Sequence, residues 1–341
     1  MNTIELLPYG VFAGRYRTRE GANDVMADWF PIDPDRVAKF QTWRNKQLAF
    51  IKDAFFPENT PGGKSMWDGA AAKFASEVTK KELAIMVEEL GFSHDAATAL
   101  QNSVLHQTPS FGASQNAHLH HYVVEDDITV PAGENFLEYD PSLTQEEHTE
   151  MKKLAAAALG EAGQVPTKGA GLFWFKFRLV RPRPFQAAHW FATPNFTCEI
   201  ANTGFHSSAP SGHCLQGILL GCAVLEGWIA EGFDMSSNPN RVRALAQYMI
   251  DWGDRRILAG VHYPTDNVIS WWLTMQLVPE IFSNPTLISQ FVSYAIQEHS
   301  EIYRIVDSNF DDGALSNIRK TLQDALPDFE PFTAQLEPSA A

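Results

Sequence analysis

Three short clusters in this chain bring together residue types that can grip and react with an anion. Lys176, Arg178, Arg181 and Arg183 fall within eight positions of a chain whose formal net charge is −15. No acidic residue occurs from Ala162 through Cys198. Such a concentration of cations calls for an anion. The stretch LFWFKFRLV surrounds Lys176 with large apolar side chains, which bury its stem and keep water from its ammonium. A desolvated cation attracts an anion more strongly than a hydrated one. Pro182 and Pro184 stop a helix here and fix the direction in which Arg183 leaves it.

The second cluster is Pro210-Ser211-Gly212-His213, directly before the apolar run CLQGILLGCAVL. The first turn of a helix has unpaired N–H groups and the positive end of the dipole, which together attract an anion. Ser211 adds a hydroxyl donor, and His213 stands where a proton can be given or taken. The third cluster runs from Arg256 through His262 to Asp266. Pro264 suits the first turn of a new helix, so His262 and Asp266 lie four residues apart across that turn. The carboxylate can hold one ring nitrogen protonated and leave the other as a lone pair. Taken as one site, the clusters would make a metal-free pocket for a tetrahedral, phosphate-like oxyanion from Lys176, Arg183, Ser211, Gly212, His213, Arg256, His262 and Asp266, and what joins them is a resemblance in order and spacing.

The order and spacing Lys176-x6-Arg183-Pro184, Pro210-Ser211-Gly212-His213 and Arg256-x5-His262-x3-Asp266 resemble the three-part signature of the type 2 phosphatidic acid phosphatase and vanadium haloperoxidase superfamily. With 25 residues between the first two parts and 41 between His213 and Arg255, the gaps are similar to those of its soluble acid phosphatases. The resemblance covers residues 176–266. It implies a helical bundle and a metal-independent phosphomonoesterase, with His262 as nucleophile, Asp266 as its orienter and His213 as acid and base. Lys176, Arg183, Ser211, Gly212 and Arg256 would hold the phosphate. It also implies an alternative, a haloperoxidase using peroxide and bromide or iodide. There His262 would ligate a vanadate cofactor, and His206 would lie near the halide. The phosphatase needs no cofactor. A third class, a non-catalytic anion-binding scaffold, would keep phosphate affinity without either activity. The chain departs from the signature at Arg255, where the family usually has serine, adding a cation beside the pocket.

Helix signals dominate the elements that must position these groups, and strand alternation is nearly absent, so the expected fold class is an all-α bundle. Asp33-Pro34 reads as an N-cap with a first-turn proline, followed by Val37, Phe40, Trp43, Gln47/Leu48 and Ile51 at helical spacing. Thr79-Lys-Lys-Glu82 reads as a capping box, as does Thr144-Gln-Glu-Glu147. Further helices are expected near 169–180, 213–230, 239–259, 265–281 and 285–304. Residues 57–69, 107–141 and 190–210 read as loops, and His118, His120 and His121 fall in the middle one as solvated residues rather than metal ligands. We divide the chain into an N-terminal helical region at 1–160, packing on a catalytic core at 161–326, and a tail at 327–341 that frays or lies on the surface.

The acidic balance, with a pI near 5.1, argues against nucleic acid as partner and leaves a small phosphorylated molecule or phosphate. Cys198, Cys214 and Cys222 are too few for a disulfide framework. The opening MNTIELLPYGVFAGRYR has no basic and then apolar leader pattern, and the most apolar run, 215–230, falls short of a span. The expectation is a soluble chain, cytoplasmic as it stands, or periplasmic or secreted if a leader has been removed. Its oligomeric state has no sequence signal.

Overall fold

A computed structural model describes residues 34–56, 77–89, 175–176, 178–191, 207–258 and 260–337. Among them every regular element is helical: α1 (Pro34–Phe55), α2 (Glu77–Glu89), α3 (Pro184–Trp190), α4 (Gly212–Ala230), α5 (Pro239–Leu258), α6 (Pro264–Ile281), α7 (Pro285–His299), α8 (Glu301–Asn309), α9 (Gly313–Ala325) and α10 (Glu330–Thr333), then a 3-10 turn, Ala334–Leu336. The all-α expectation holds for these residues.

The apolar helix α4 is central, against α5, α6 and α7. It buries Cys214, Leu215, Ile218, Leu219, Cys222, Val224, Leu225 and Trp228, more than one stripe of its surface. That is the pattern of a core helix. By length and composition α4 is also the one described helix that could cross a membrane, although 62% of its apolar window is buried inside the protein. The close approach of α5 depends on small residues. A Cβ on Gly217 would stand 2.5 Å from the Trp252 Cβ, and one on Gly253 would stand 2.7 Å from the Cys214 Cβ. The α4–α5 pair carries Ser211, Gly212 and His213 at one end of α4 and Arg256 in the last turn of α5.

α1 braces the core from outside. Its Phe50 stacks on Trp272 of α6 at 4.4 Å, and its Trp43 meets Phe175 edge-on at 6.3 Å, steadying the segment that carries Lys176. The apolar spacing read from the sequence is visible in the buried Ile51 and the packed Trp43 and Leu48. Its cap residue Asp33 and the second capping box, 144–147, lie outside the described residues, as do His118, His120 and His121.

Three expectations need correction. First, Thr79 does not start a helix, because α2 already runs from Glu77; Thr79 is buried inside it and Glu82 makes tertiary bonds instead of capping. Second, the single helix expected at 285–304 breaks at Ser300. The Ser300 hydroxyl accepts from the Tyr303 N–H (3.0 Å) and donates to the buried Asp254 (2.8 Å), which also accepts from the Ile302 N–H (3.3 Å). A side chain that caps the next helix ends the previous one. Third, the tail is anchored. Phe332 is fully buried between Phe291 and Tyr294, with ring centroids 5.2 and 5.4 Å away, and Leu336 is buried one turn later.

Candidate active site

Each site residue sits at a helix end or a turn next to one. Residues 175–176 and 178–179 are helical, and the chain then turns at Val180, whose φ of 49° lies in the left-handed region. Such a conformation in a β-branched residue is strained. Its N–H still reaches the Lys176 carbonyl (3.0 Å), closing the helical turn while the chain reverses. Arg183 then precedes α3, and its N–H donates to Gln186 Oε1 (2.8 Å). Pro184 is therefore a first-turn proline of a new helix as well as the end of the old one.

At the second cluster Ser211 caps α4, its Oγ accepting from the Cys214 N–H (3.4 Å). At the third, the left-handed Gly260 (φ 73°) closes α5. The Gly260 N–H bonds the Ile257 carbonyl (2.8 Å) and the Val261 N–H bonds that of Arg256 (3.2 Å). Those two bonds are a Schellman motif. It turns the chain so that His262 lies between two capped helices. The second and third clusters are stitched together through the backbone. The Ser211 N–H donates to the Asp266 carbonyl (3.2 Å), and the Ser270 hydroxyl lies 2.9 Å from the Ser211 carbonyl and 2.8 Å from that of Asp266.

The imidazole of His262 is held on both sides. Its Nδ1 lies 3.0 Å from Asp266 Oδ2, and its Nε2 lies 3.0 Å from Arg183 Nη1. A carboxylate only accepts and a guanidinium only donates, so the network assigns the proton to Nδ1 and the lone pair to Nε2. Asp266 is itself fixed. Oδ2 also accepts from the Tyr263 N–H (3.0 Å), and Oδ1 accepts from Arg181 Nη1 (2.7 Å). Arg183 Nη1 is anchored by the Val261 carbonyl (2.6 Å). Lys176 Nζ donates to the carbonyls of Ser207 and Ser208, each at 2.7 Å, tying the first cluster to the approach of the second. An ammonium has three donors, so one remains for an anion.

Lys176, Arg181, Arg183 and Arg256 are each 1% exposed or less, and the carboxylates buried among them are Glu82 and Asp266. Four cations against two anions leave a positive excess in a dry place. Burial pushes the His262 ring far below the ordinary histidine range, and Arg183, Lys176, Arg256 and Arg181 push it further. The ring is therefore neutral at neutral pH, its lone pair engaged by Arg183 Nη1. Burial likewise lowers Lys176, helped by Arg183 and Arg256 and opposed by Asp266. An anion would supply the charge these groups lack.

His213 differs from the rest. It is half-buried in the first turn of α4, its ring 6.2 Å from that of Trp252, and so is placed to exchange protons with solvent. Gly212 forms the buried first turn beside it. His206 and the Arg255 side chain lie outside the described residues. Two residues of the site escaped the sequence reading. Arg181 was visible as a cation but not as the partner of Asp266. Glu82 was assigned to a cap, and nothing local in the sequence marks its bonds to Arg181 Nη2 and to the Thr265 N–H (2.7 Å). Cys214, beside His213, is no competing nucleophile, since burial pushes its thiol well above the ordinary range.

No known protein family, curated protein or solved structure matches the chain in comparisons of sequence and fold.

Proposed function

We propose that this chain is a phosphomonoesterase of the type 2 phosphatidic acid phosphatase kind, acting on a small phosphorylated substrate through a phosphohistidine at His262. The observation that carries the reading is the His262 ring, with Nδ1 bonded to Asp266 and Nε2 directed toward buried cations. Phosphoryl transfer asks mainly for positioning and for charge stabilisation of a loose transition state. An arriving phosphate would draw Arg183 Nη1 from Nε2 onto its own oxygen. The freed lone pair attacks phosphorus, the N–P bond forms, and the bond to the leaving oxygen breaks as His213 protonates that oxygen. His213 then takes a proton from water, whose oxygen attacks phosphorus and breaks the N–P bond. Lys176, Arg183 and Arg256, with the Ser211 hydroxyl and the Gly212 N–H, neutralise the equatorial oxygens throughout, a task divalent metals perform elsewhere.

The test is hydrolysis of an aryl phosphate by purified protein in excess EDTA. Turnover is expected, with loss in His262→Ala and an acid-labile, base-stable phosphoprotein in quenched wild type. No turnover at any pH would overturn the reading. The same donors suit tetrahedral vanadate, which would supply peroxide activation when bound, so orthovanadate decides between chemistries. Pure inhibition agrees with the phosphatase, whereas peroxide- and bromide-dependent bromination of a dye after its addition would replace it with the haloperoxidase. Phosphate binding with neither activity would leave a binding protein.

A further inference from the structure

We infer that Glu82, delivered by α2 from a region without any catalytic motif, is a positioning residue for His262 that acts through Arg181 and Asp266. The inference rests on the phosphohistidine reading for its kinetic consequence, but its geometry stands alone. Glu82 Oε2 accepts from Arg181 Nη2, and Arg181 Nη1 donates to Asp266 Oδ1 (2.7 Å), which holds His262 through its other oxygen (3.0 Å). Glu82 Oε1 accepts from the Thr265 N–H in the first turn of α6 (2.7 Å). Every member is buried. The guanidinium is also fixed in plane, lying over the Tyr263 ring at 3.8 Å and the Phe56 ring at 5.1 Å.

The arrangement controls charge as well as position. Alone, Arg181 would neutralise Asp266 and weaken its hold on the imidazolium that develops as Nε2 gives up its lone pair. A second carboxylate on the far side of Arg181 shares that positive charge, so Asp266 keeps more of its own. Burial raises the Glu82 carboxyl, opposed by Arg181 and the Thr265 N–H. Both of its oxygens face N–H donors, so a proton on either would meet a donor, and the carboxylate form fits the site. Other charged and titratable groups of the site are Lys176 and Arg183 from the first cluster, His213 of α4, Arg256 of α5 and Tyr263 ahead of α6. Lys176, Arg183 and Arg256 lower the basicity of His262, and Glu82 counters the like effect of Arg181.

The experiment compares wild type with Glu82→Gln, which keeps the shape and the acceptor for Thr265 but removes the charge and turns an amide N–H toward Arg181 in place of an acceptor, and with Glu82→Asp, which keeps the charge and both acceptors one methylene further back. In Glu82→Gln, kcat for an aryl phosphate should fall about tenfold, the low end of the loss on removing a partner that acts on a site histidine from the outer shell. KM should not rise, since the pocket becomes no less positive. The acidic limb of kcat should move to lower pH, and Glu82→Asp should lie between. Nitrogen-15 histidine spectra of the ligand-free protein test the same ring without turnover: His262 should take up its proton at lower pH in Glu82→Gln than in wild type. An unchanged protonation pH, or a raised KM with an unmoved acidic limb, would overturn the inference. If Glu82→Gln does not fold, Glu82→Asp carries the titration, with a smaller shift of the same sign expected and no shift refuting. Wild type that hydrolyses nothing while the spectral shift stands would overturn the phosphatase reading alone.

Discussion

Replacing Asp254 by asparagine should remove a pH dependence from the stability of the protein. Asp254 is buried, and burial, helped by the nearby Asp251, pushes its carboxyl from its ordinary 3.8 to about 7 against the pull of Ser300 and the Ile302 N–H. In the folded chain it keeps its proton up to about pH 7, whereas in the unfolded chain it loses it near 3.8. Between these values unfolding releases a proton, so raising the pH favours the unfolded chain, and the loss is complete above about 7. From pH 5.5, clear of the isoelectric point, to pH 8 this one group should cost about 2 kcal/mol. Asparagine cannot ionise. Its oxygen can serve Ser300 and Ile302, and its amide can meet Asn267, whose Oδ1 has no bond in the present orientation and becomes the acceptor if that amide turns over. Urea unfolding followed by tryptophan fluorescence at pH 5.5, 6.5 and 8 checks this. The wild type should lose about 2 kcal/mol more than Asp254→Asn across the range, all other titrating groups being common to both. Equal slopes for the two proteins would refute the reasoning.

Two further outcomes follow from packing. Gly253→Ala puts a Cβ 2.7 Å from that of Cys214 and 2.9 Å from its sulfur, which forces α5 away from α4. It should cost about 1–3 kcal/mol in urea and weaken phosphate binding in calorimetry, because Arg256 lies one turn further along α5. Phe332→Ala empties the place between Phe291 and Tyr294 and should cost about 3–5 kcal/mol by the same unfolding measurement, whereas a loosely lying tail would show no change.

What the sequence revealed and what it hid divide along a physical line. The helices α4, α5 and α6 were legible because each has local punctuation, namely the Pro210-Ser211-Gly212 entry, Pro239 and Pro264, and because apolar runs report burial directly. The meeting of Lys176, Arg183 and Arg256 around His262 was legible from residue type together with the resemblance in spacing, since an acidic chain has little reason to bury three cations without an anion. Glu82 was hidden because its partners are 99 and 183 residues away, and its own neighbourhood offers a plausible local use as a cap. Ser300 was hidden for a related reason. The periodicity of 285–304 continues through it, and only the buried Asp254 beside it makes capping stronger than continuation. The tail was misjudged on composition: its prolines and acids suggested exposure, while Phe329, Phe332 and Leu336 recur at helical spacing.

The bond between Glu82 and the Thr265 N–H, together with the Lys81–Asp312 ion pair (2.6 Å), has a consequence for when the protein becomes competent. Contacts across such long stretches of chain form slowly, because the intervening loop must close first. During synthesis α2 emerges 183 residues ahead of the turn that receives its carboxylate. Glu82 then has neither Arg181 nor α6 to bind, and a nascent chain ending before Asp266 holds buried-type cations with no relay to order them. A fragment starting at 161 would have the same defect, although it contains every motif. Under the proposed relay, full activity would be a late event in the life of the chain, and the recovery of turnover per molecule during refolding would time the docking of α2 rather than the formation of the helices that carry the motifs.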